Sequence, residues 1–234
     1  VVAAANKTGT CNNTRGVNIG GYNPSTKAMD YITIASTGNA VTFGTMTNAN
    51  RADGAGFASP IRAFQVGTGG NSDSGEYVTI PTTGNALDFG DLAEKARTGG
   101  GCGSPTRGIF IGGRNPSNSD VIDYIQIMTL GDALDFGDLG TSHTRFNGAG
   151  SSPTRAVIAS KEIDLITIAS KGNSIEFGMD LFTGQYHQNG GSTGTRAMWA
   201  GGYSGPAYSP YGVDMKTTSI RGVDIQSGLS LIHI

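Results

Sequence analysis

The residues of this chain with chemistry beyond packing are three histidines, two cysteines and a few closely spaced carboxylates. His143, His187 and His233 lie far apart, and none has a second histidine or a cysteine at metal-ligand spacing. His187, in QYHQN, reads as a polar loop residue. Cys11 and Cys102 are too few for a disulfide scaffold and form no Cys-x-x-Cys pair, so both read as small buried free thiols, with a cross-link as the alternative. Asp88/Asp91 and Asp135/Asp138 offer the hard oxygens that calcium takes. They repeat imperfectly, however, and read as solvated carboxylates at strand ends. No Gly-x-Ser-x-Gly, His-Glu-x-x-His or Walker pattern occurs. The Gly-Gly and Gly-x-Gly strings open no helical pattern, so they lack the helix N-terminal amides that hold phosphate. No catalytic, cofactor or metal set is expected.

Recognition is the other chemistry on offer. Tyr22, Asn23, Arg114, Asn115, Tyr203, Tyr208 and Tyr211 fall in three segments, YNPSTKAM, RNPSNSDVI and YSGPAYSPYG. Tyrosine supplies large rigid contact area, and Asn, Ser and Gly supply adaptable hydrogen bonds. These seven residues are the candidate ligand-binding set.

The elements that must position them come from internal repetition. An arginine opens an apolar string at Arg15, Arg62, Arg107, Arg155 and Arg196, 41 to 48 residues apart. A second marker follows in four units: ITIASTGNAVTFG, VTIPTTGNALDFG, IQIMTLGDALDFG and ITIASKGNSIEFG. Each unit reads as four short strands. Strand a is small (Gly54–Gly56, Gly99–Gly101, Gly148–Gly150), and strand b follows the arginine. Strand c is DYITI or its equivalent, and strand d covers Ala40–Phe43, Ala86–Phe89, Ala133–Phe136 and Ser174–Phe177. Gly-Asn or Gly-Asp between c and d is a hairpin signal, because these residues accept positive φ. No stretch keeps a 3.6-residue apolar period, so almost no helix is expected. Large side chains alternate on both faces of strand c, which predicts sheets covered on both sides.

The composition agrees. Glycine supplies 38 of 234 residues without a Gly-X-Y period, which excludes collagen. Hydrophobic residues at 37 % and aromatics at 8 % can bury a core. A net charge of −2 leaves no footprint for nucleic acid or an anionic membrane, and no apolar run is long enough to span a bilayer.

Equal repeats of four strands predict an all-β chain, a β-propeller of about five four-stranded antiparallel blades, with a sandwich and a β-solenoid as the alternatives. One domain covers residues 1–234, with blades at about 7–47, 51–92, 97–139, 145–181 and 185–234. Residues 1–6 are a candidate strand for closing the last blade. VVAAANK has neither an initiator Met nor a signal-peptide pattern, so a processed or internal start is expected. The fifth unit departs after Gly212: Lys216 takes a column of Ile and Val, no TGNAxxFG follows, and LSLIHI resembles translated sequencing-adapter read-through. Residues after about 213 are therefore expected not to represent the natural protein, whose chain would then continue with further blades; if they do represent it, the N-terminal segment could pair with the fifth blade and close the ring.

The arginines and the acids of strand c (Asp30, Glu76, Asp123, Asp164, Asp214) recur in every unit. They read as scaffold, joined in ion pairs or anchoring turns. Trp199 aligns with Phe110 and Ile158 and reads as core. The a–b and c–d connections are short and uniform, whereas the b–c segments differ from unit to unit. One rim is thus constant and the other individual, and loops on a rigid scaffold carry recognition.

SPTRGIFIGG followed by DYIQIMTLGDALDFGDL resembles kelch-type repeats. More narrowly, it is similar to the repeats of tail-fibre and appendage proteins of tailed bacteriophages, especially marine ones. The resemblance runs from Arg15 to about Gly202. Gly20–Gly21, Gly112–Gly113 and Gly201–Gly202 match the kelch double glycine, and Tyr31, Tyr77 and Tyr124 match its tyrosine. The kelch tryptophan is absent from every unit, and Gly67–Thr68 replaces the pair in the second. The resemblance implies a non-catalytic virion or extracellular module, able to oligomerise. Its partners would be a host-surface glycan or protein, or neighbouring virion subunits. A fibre scaffold without a ligand and a propeller-based hydrolase or oxidase are the alternatives. Copper radical oxidases share the kelch-type propeller, but their histidine and tyrosine ligands and cysteine–tyrosine link have no counterpart in this sequence.

Overall fold

The computed structural model describes residues 3–5, 7–48, 54–67, 72–96, 99–114, 117–143, 148–159, 163–177, 185–186, 189–200, 203–204, 221–224 and 231–233. These residues form strands and turns, with no helix among them. The first sheet is β1 (Thr8–Cys11), β2 (Arg15–Ile19), β3 (Ala28–Thr33) and β4 (Val41–Thr45). The second is β5 (Ala55–Ala58), β6 (Arg62–Val66), β7 (Ser72–Thr79) and β8 (Leu87–Ala96). The third is β9 (Gly100–Gly103), β10 (Arg107–Arg114), β11 (Asn118–Gln126) and β12 (Leu134–His143). The fourth is β13 (Gly148–Ser151), β14 (Arg155–Ala159), β15 (Ile163–Thr167) and β16 (Ile175–Glu176). A two-stranded pair joins β17 (Gln185–Tyr186) to β20 (Tyr203–Ser204). The fifth sheet is β18 (Asn189–Ser192), β19 (Arg196–Ala200), β21 (Arg221–Asp224) and β22 (Leu231–His233). Each four-stranded sheet is an antiparallel meander in chain order, consistent with a β-propeller-like arrangement.

Every strand b begins at its arginine because the turn before it is built identically five times. The side-chain oxygen of Asn12, Ser59, Ser104, Ser152 or Thr193 accepts the backbone N–H of the arginine three residues on, at 2.8 to 3.1 Å. This is the local turn chemistry that Asn, Ser and Thr offer. Strand d does not stop at its phenylalanine. Phe43, Phe89 and Phe136 are extra residues at register shifts, so each following glycine continues the strand as a bulge.

Cores lie between successive sheets. Val17, Ile19, Met29 and Phe43 pack against Ala63, Val78 and Ile80 of the second sheet. Phe57, Phe64, Tyr77 and Phe89 pack against Phe110, Ile125 and Ile127 of the third. The third and fourth sheets share the next cluster, with Ile109 and Ile122 against Ala156 and Ile168. Strand a is small because these strands face one another. A Cβ on Gly56 would come within 2.4 Å of Thr8, and one on Gly101 within 2.9 Å of the Gly56 carbonyl.

Two recurring pieces latch neighbouring sheets together. The turn before strand d docks on strand d of the preceding sheet: Gly84, Gly131 and Gly172 donate their N–H to the carbonyls of Phe43, Phe89 and Phe136 at 2.9 to 3.0 Å. The adjacent Asn85, Asp132 and Asn173 accept the N–H of Thr45, Asp91 and Asp138 at 3.0 to 3.1 Å. The arginines are the second latch. Arg15, Arg62 and Arg107 donate to the carbonyls of Ile80, Ile127 and Ile168 in the following sheet, at 2.6 to 2.7 Å. Each guanidinium also lies over the tyrosine of its own strand c, 4.5 to 5.0 Å from the centroid of Tyr31, Tyr77 or Tyr124.

Several expectations need correction. Among the described residues the arginines and strand-c acids do not pair with one another; Arg15, Arg62 and Arg107 donate to carbonyls instead, and the one ion pair there is Lys7–Asp30 at 3.2 Å. Coverage of both faces fails in the first sheet. Ile32 and Ile34 are 46 % and 50 % exposed, whereas Val78, Ile80, Ile125, Ile127, Ile166 and Ile168 in the same columns are buried. Those columns face the preceding sheet, and the first sheet has none among the described residues. Cys102 is buried but Cys11 is exposed, and both are free. Strand c of the fifth sheet lies at Arg221–Asp224 rather than at Asp214, and strand d at Leu231–His233. Asp214 and Lys216 lie outside the described residues. The described part of the N-terminal segment is used locally: Ala5 and Tyr22 exchange two backbone hydrogen bonds of 2.8 Å. Residues 1, 2 and 6 lie outside the described residues.

Candidate functional site

Meander order puts the b–c connections on the rim opposite the a–b turns and the latching c–d turns. Tyr22 sits there, 55 % exposed, held by its bridge to Ala5. Tyr203 has the corresponding place in the fifth unit, where the separate β17–β20 pair sets Tyr186 against Tyr203. In the sequence both tyrosines follow a Gly-Gly pair. Gly20 and Gly21 adopt φ of 61° and 132°, and a Cβ on Gly21 would meet Ala4 at 2.8 Å, so only glycine turns the chain there. Asn23 follows, exposed, at φ 56° and before a cis peptide bond to Pro24.

Arg114 occupies the tyrosine's column in the third sheet, at the end of β10, paired with Asn118. Tyr22 and Arg114 share a rim with the second sheet between them. Asn115, Tyr208 and Tyr211 lie outside the described residues, as do His187 and the side chains of Tyr203, Trp199, His143 and His233.

Beside Arg114 the second and third sheets part to form a cleft that composition alone does not single out. Glu94, Lys95, Phe110, Arg114, Ser119 and Asp123 line it, and it encloses about 10 Å³, roughly the room for one water. Asp123 belongs to the buried acid column. Its counterparts are well served: Asp30 by Lys7, Glu76 by the N–H of Thr47 at 2.9 Å and by its hydroxyl, Asp164 by the hydroxyl of Ser174 at 2.9 Å. At Asp123 the column of Thr47 holds Ala93 and the column of Ser174 holds Ala133. The Ala93 backbone donates one hydrogen bond, but Asp123 Oδ1 has no partner. Burial pushes the Asp123 carboxyl up to about 6, against that hydrogen bond and with help from nearby Asp135 and Glu94. The signal was present in the repeat alignment, as the one strand-c acid among the second to fourth units with alanine in both donor columns.

Asp88, Asp91, Asp135 and Asp138 are exposed. No three His, Cys, Asp or Glu side chains converge on a metal position among the described residues. Among those residues no helix is long and apolar enough to cross a membrane. No protein-family model matches the chain, and no curated protein matches its sequence.

Proposed function

We propose that the chain is a β-propeller recognition module of the kelch-like, phage tail-fibre type, which contacts a host-surface glycan or protein through its b–c rim. The observation that carries this is the contrast between rims. One is built from a turn repeated five times and a latch repeated three times. The other presents Tyr22, Asn23 and Arg114 on connections that differ in length and composition. A rigid base with individual loops is the division of labour that recognition requires. Modest affinity per module would be multiplied by several copies on one virion.

The ring itself is part of the proposal. The bare first-sheet flank, with Ile32 and Ile34, has the column pattern that a preceding sheet covers elsewhere, and the chain's last sheet would close on it. Slow amide exchange at Gly38, whose counterparts Gly84, Gly131 and Gly172 are latched, is the expected mark of closure. The same bare flank favours a second reading, a scaffold segment stacking against neighbouring virion subunits.

A binding screen on bacterial envelope glycans and outer-surface proteins tests the recognition reading. The intact chain is compared with Tyr22→Ala and with Tyr203→Ala/Tyr211→Ala. Binding that falls in the variants supports the rim. Equal binding by all forms, or none by any, refutes it.

A further inference from the structure

Among the described strand-c acids, Asp123 alone keeps a fully buried carboxylate oxygen without a hydrogen-bond partner, and its residue is only 2 % exposed. A buried acceptor in that state is costly unless something donates to it. The missing donor cannot come from the neighbouring columns, since Ala93 and Ala133 carry no hydroxyl. Asp123 lines the cleft together with Arg114 and Lys95.

We propose that this cleft is a saccharide subsite, in which Asp123 Oδ1 accepts a hydrogen bond from one ligand hydroxyl while Arg114 and Lys95 donate to adjacent ligand oxygens. The proposal rests on the recognition reading and narrows its ligand to a polyhydroxylated one. Three observations select a hydroxyl. The enclosed space fits one small polar group and not a ring or an apolar side chain. An ammonium can only donate, whereas a hydroxyl can donate to the carboxylate and accept from Lys95 or Arg114 in the same lining. A metal ion would need more ligands than converge there among the described residues.

The test titrates the chain with galactose, glucose, N-acetylglucosamine and their β-linked disaccharides, following the Asp123 side-chain carboxyl carbon by NMR at pH 7. Two variants accompany it. Asp123→Asn removes the charged acceptor. Ala93→Thr installs the hydroxyl that serves Glu76 in the second sheet, so it satisfies Asp123 internally without emptying the fold. At least one saccharide is expected to move the Asp123 resonance. Each variant is expected to weaken that saccharide about tenfold, the effect of one hydrogen bond to a charged group. Ala93→Thr should melt no lower than the parent chain. Saccharide binding that Ala93→Thr leaves unchanged overturns the subsite while leaving the rim reading intact. A resonance that no saccharide moves also overturns it, leaving a water as the donor; the rim reading then stands or falls on Tyr22→Ala and Tyr203→Ala/Tyr211→Ala.

Discussion

Gly137 and Gly172 form a matched pair that isolates the latch between the third and fourth sheets. Both adopt positive φ, 144° and 141°, so alanine meets the same backbone strain at either position. Such strain costs about 1–3 kcal/mol. Their surroundings differ. A Cβ on Gly172 meets nothing within 4 Å, whereas one on Gly137 would lie 2.6 Å from the Gly172 carbonyl. Relieving that contact pushes the Gly172 turn off strand d. Three hydrogen bonds are then at stake: Gly172 N–H to Phe136 O at 2.9 Å, Ser174 N–H to Asp138 O at 2.8 Å, and Asp138 N–H to Asn173 Oδ1 at 3.1 Å. At about 1 kcal/mol each, their loss makes Gly137→Ala less stable than Gly172→Ala by about 3 kcal/mol. In a chain of this size that is a difference of about 6–12 °C in melting temperature. Parallel urea and thermal melts of the two variants measure it. Equal stabilities would mean that the turn does not bear on the preceding strand and would refute the inter-sheet latch.

Arg107→Ala removes two donations, to Ile168 O at 2.7 Å and Ala169 O at 3.0 Å, and a cation–π contact with Tyr124; a loss of about 2–3 kcal/mol is expected in urea melts, with Arg107→Lys recovering less than half. Because the folded Asp123 carboxyl titrates at about 6, above its unfolded value, its protonated form is the one the fold prefers. Stability is fully present below the unfolded value and falls as pH rises through about 6, so between pH 5 and 8 the parent chain should lose about 1 kcal/mol more than Asp123→Asn, after allowance for solvent at the cleft mouth. A parallel pH dependence in the two proteins would contradict that environment. A thiol reagent should modify exposed Cys11 in the native chain and Cys102 only on unfolding, since burial pushes the Cys102 thiol up to about 12.

The strand rhythm was legible because two short-range signals set it. Asn12, Ser59, Ser104, Ser152 and Thr193 fix the turn that starts strand b, and the Gly-Asn or Gly-Asp turn opens strand d. Partnership between sheets was not legible. An arginine beside an acid in a repeat alignment invites an ion pair, and only three-dimensional stacking shows that it reaches carbonyls some sixty residues on. Phe-Gly looked like a strand's end because its bulge depends on the next unit's turn. The rim residues Tyr22, Asn23 and Arg114 were found by their variation. Asp123 was passed over because it recurs in its column. Its distinction is the lack of a hydroxyl at Ala93 and Ala133, an absence visible only once donors are matched to acceptors.

Native-state amide exchange, resolved by residue, probes the stacking of successive sheets most directly. Gly84, Gly131 and Gly172 sit in exposed turns, yet their N–H groups are bound to carbonyls of the sheet before them. Protection at all three, comparable to that of the core strands, is expected. Exchange at the rate of a free turn at all three would contradict sheets stacked flank to flank.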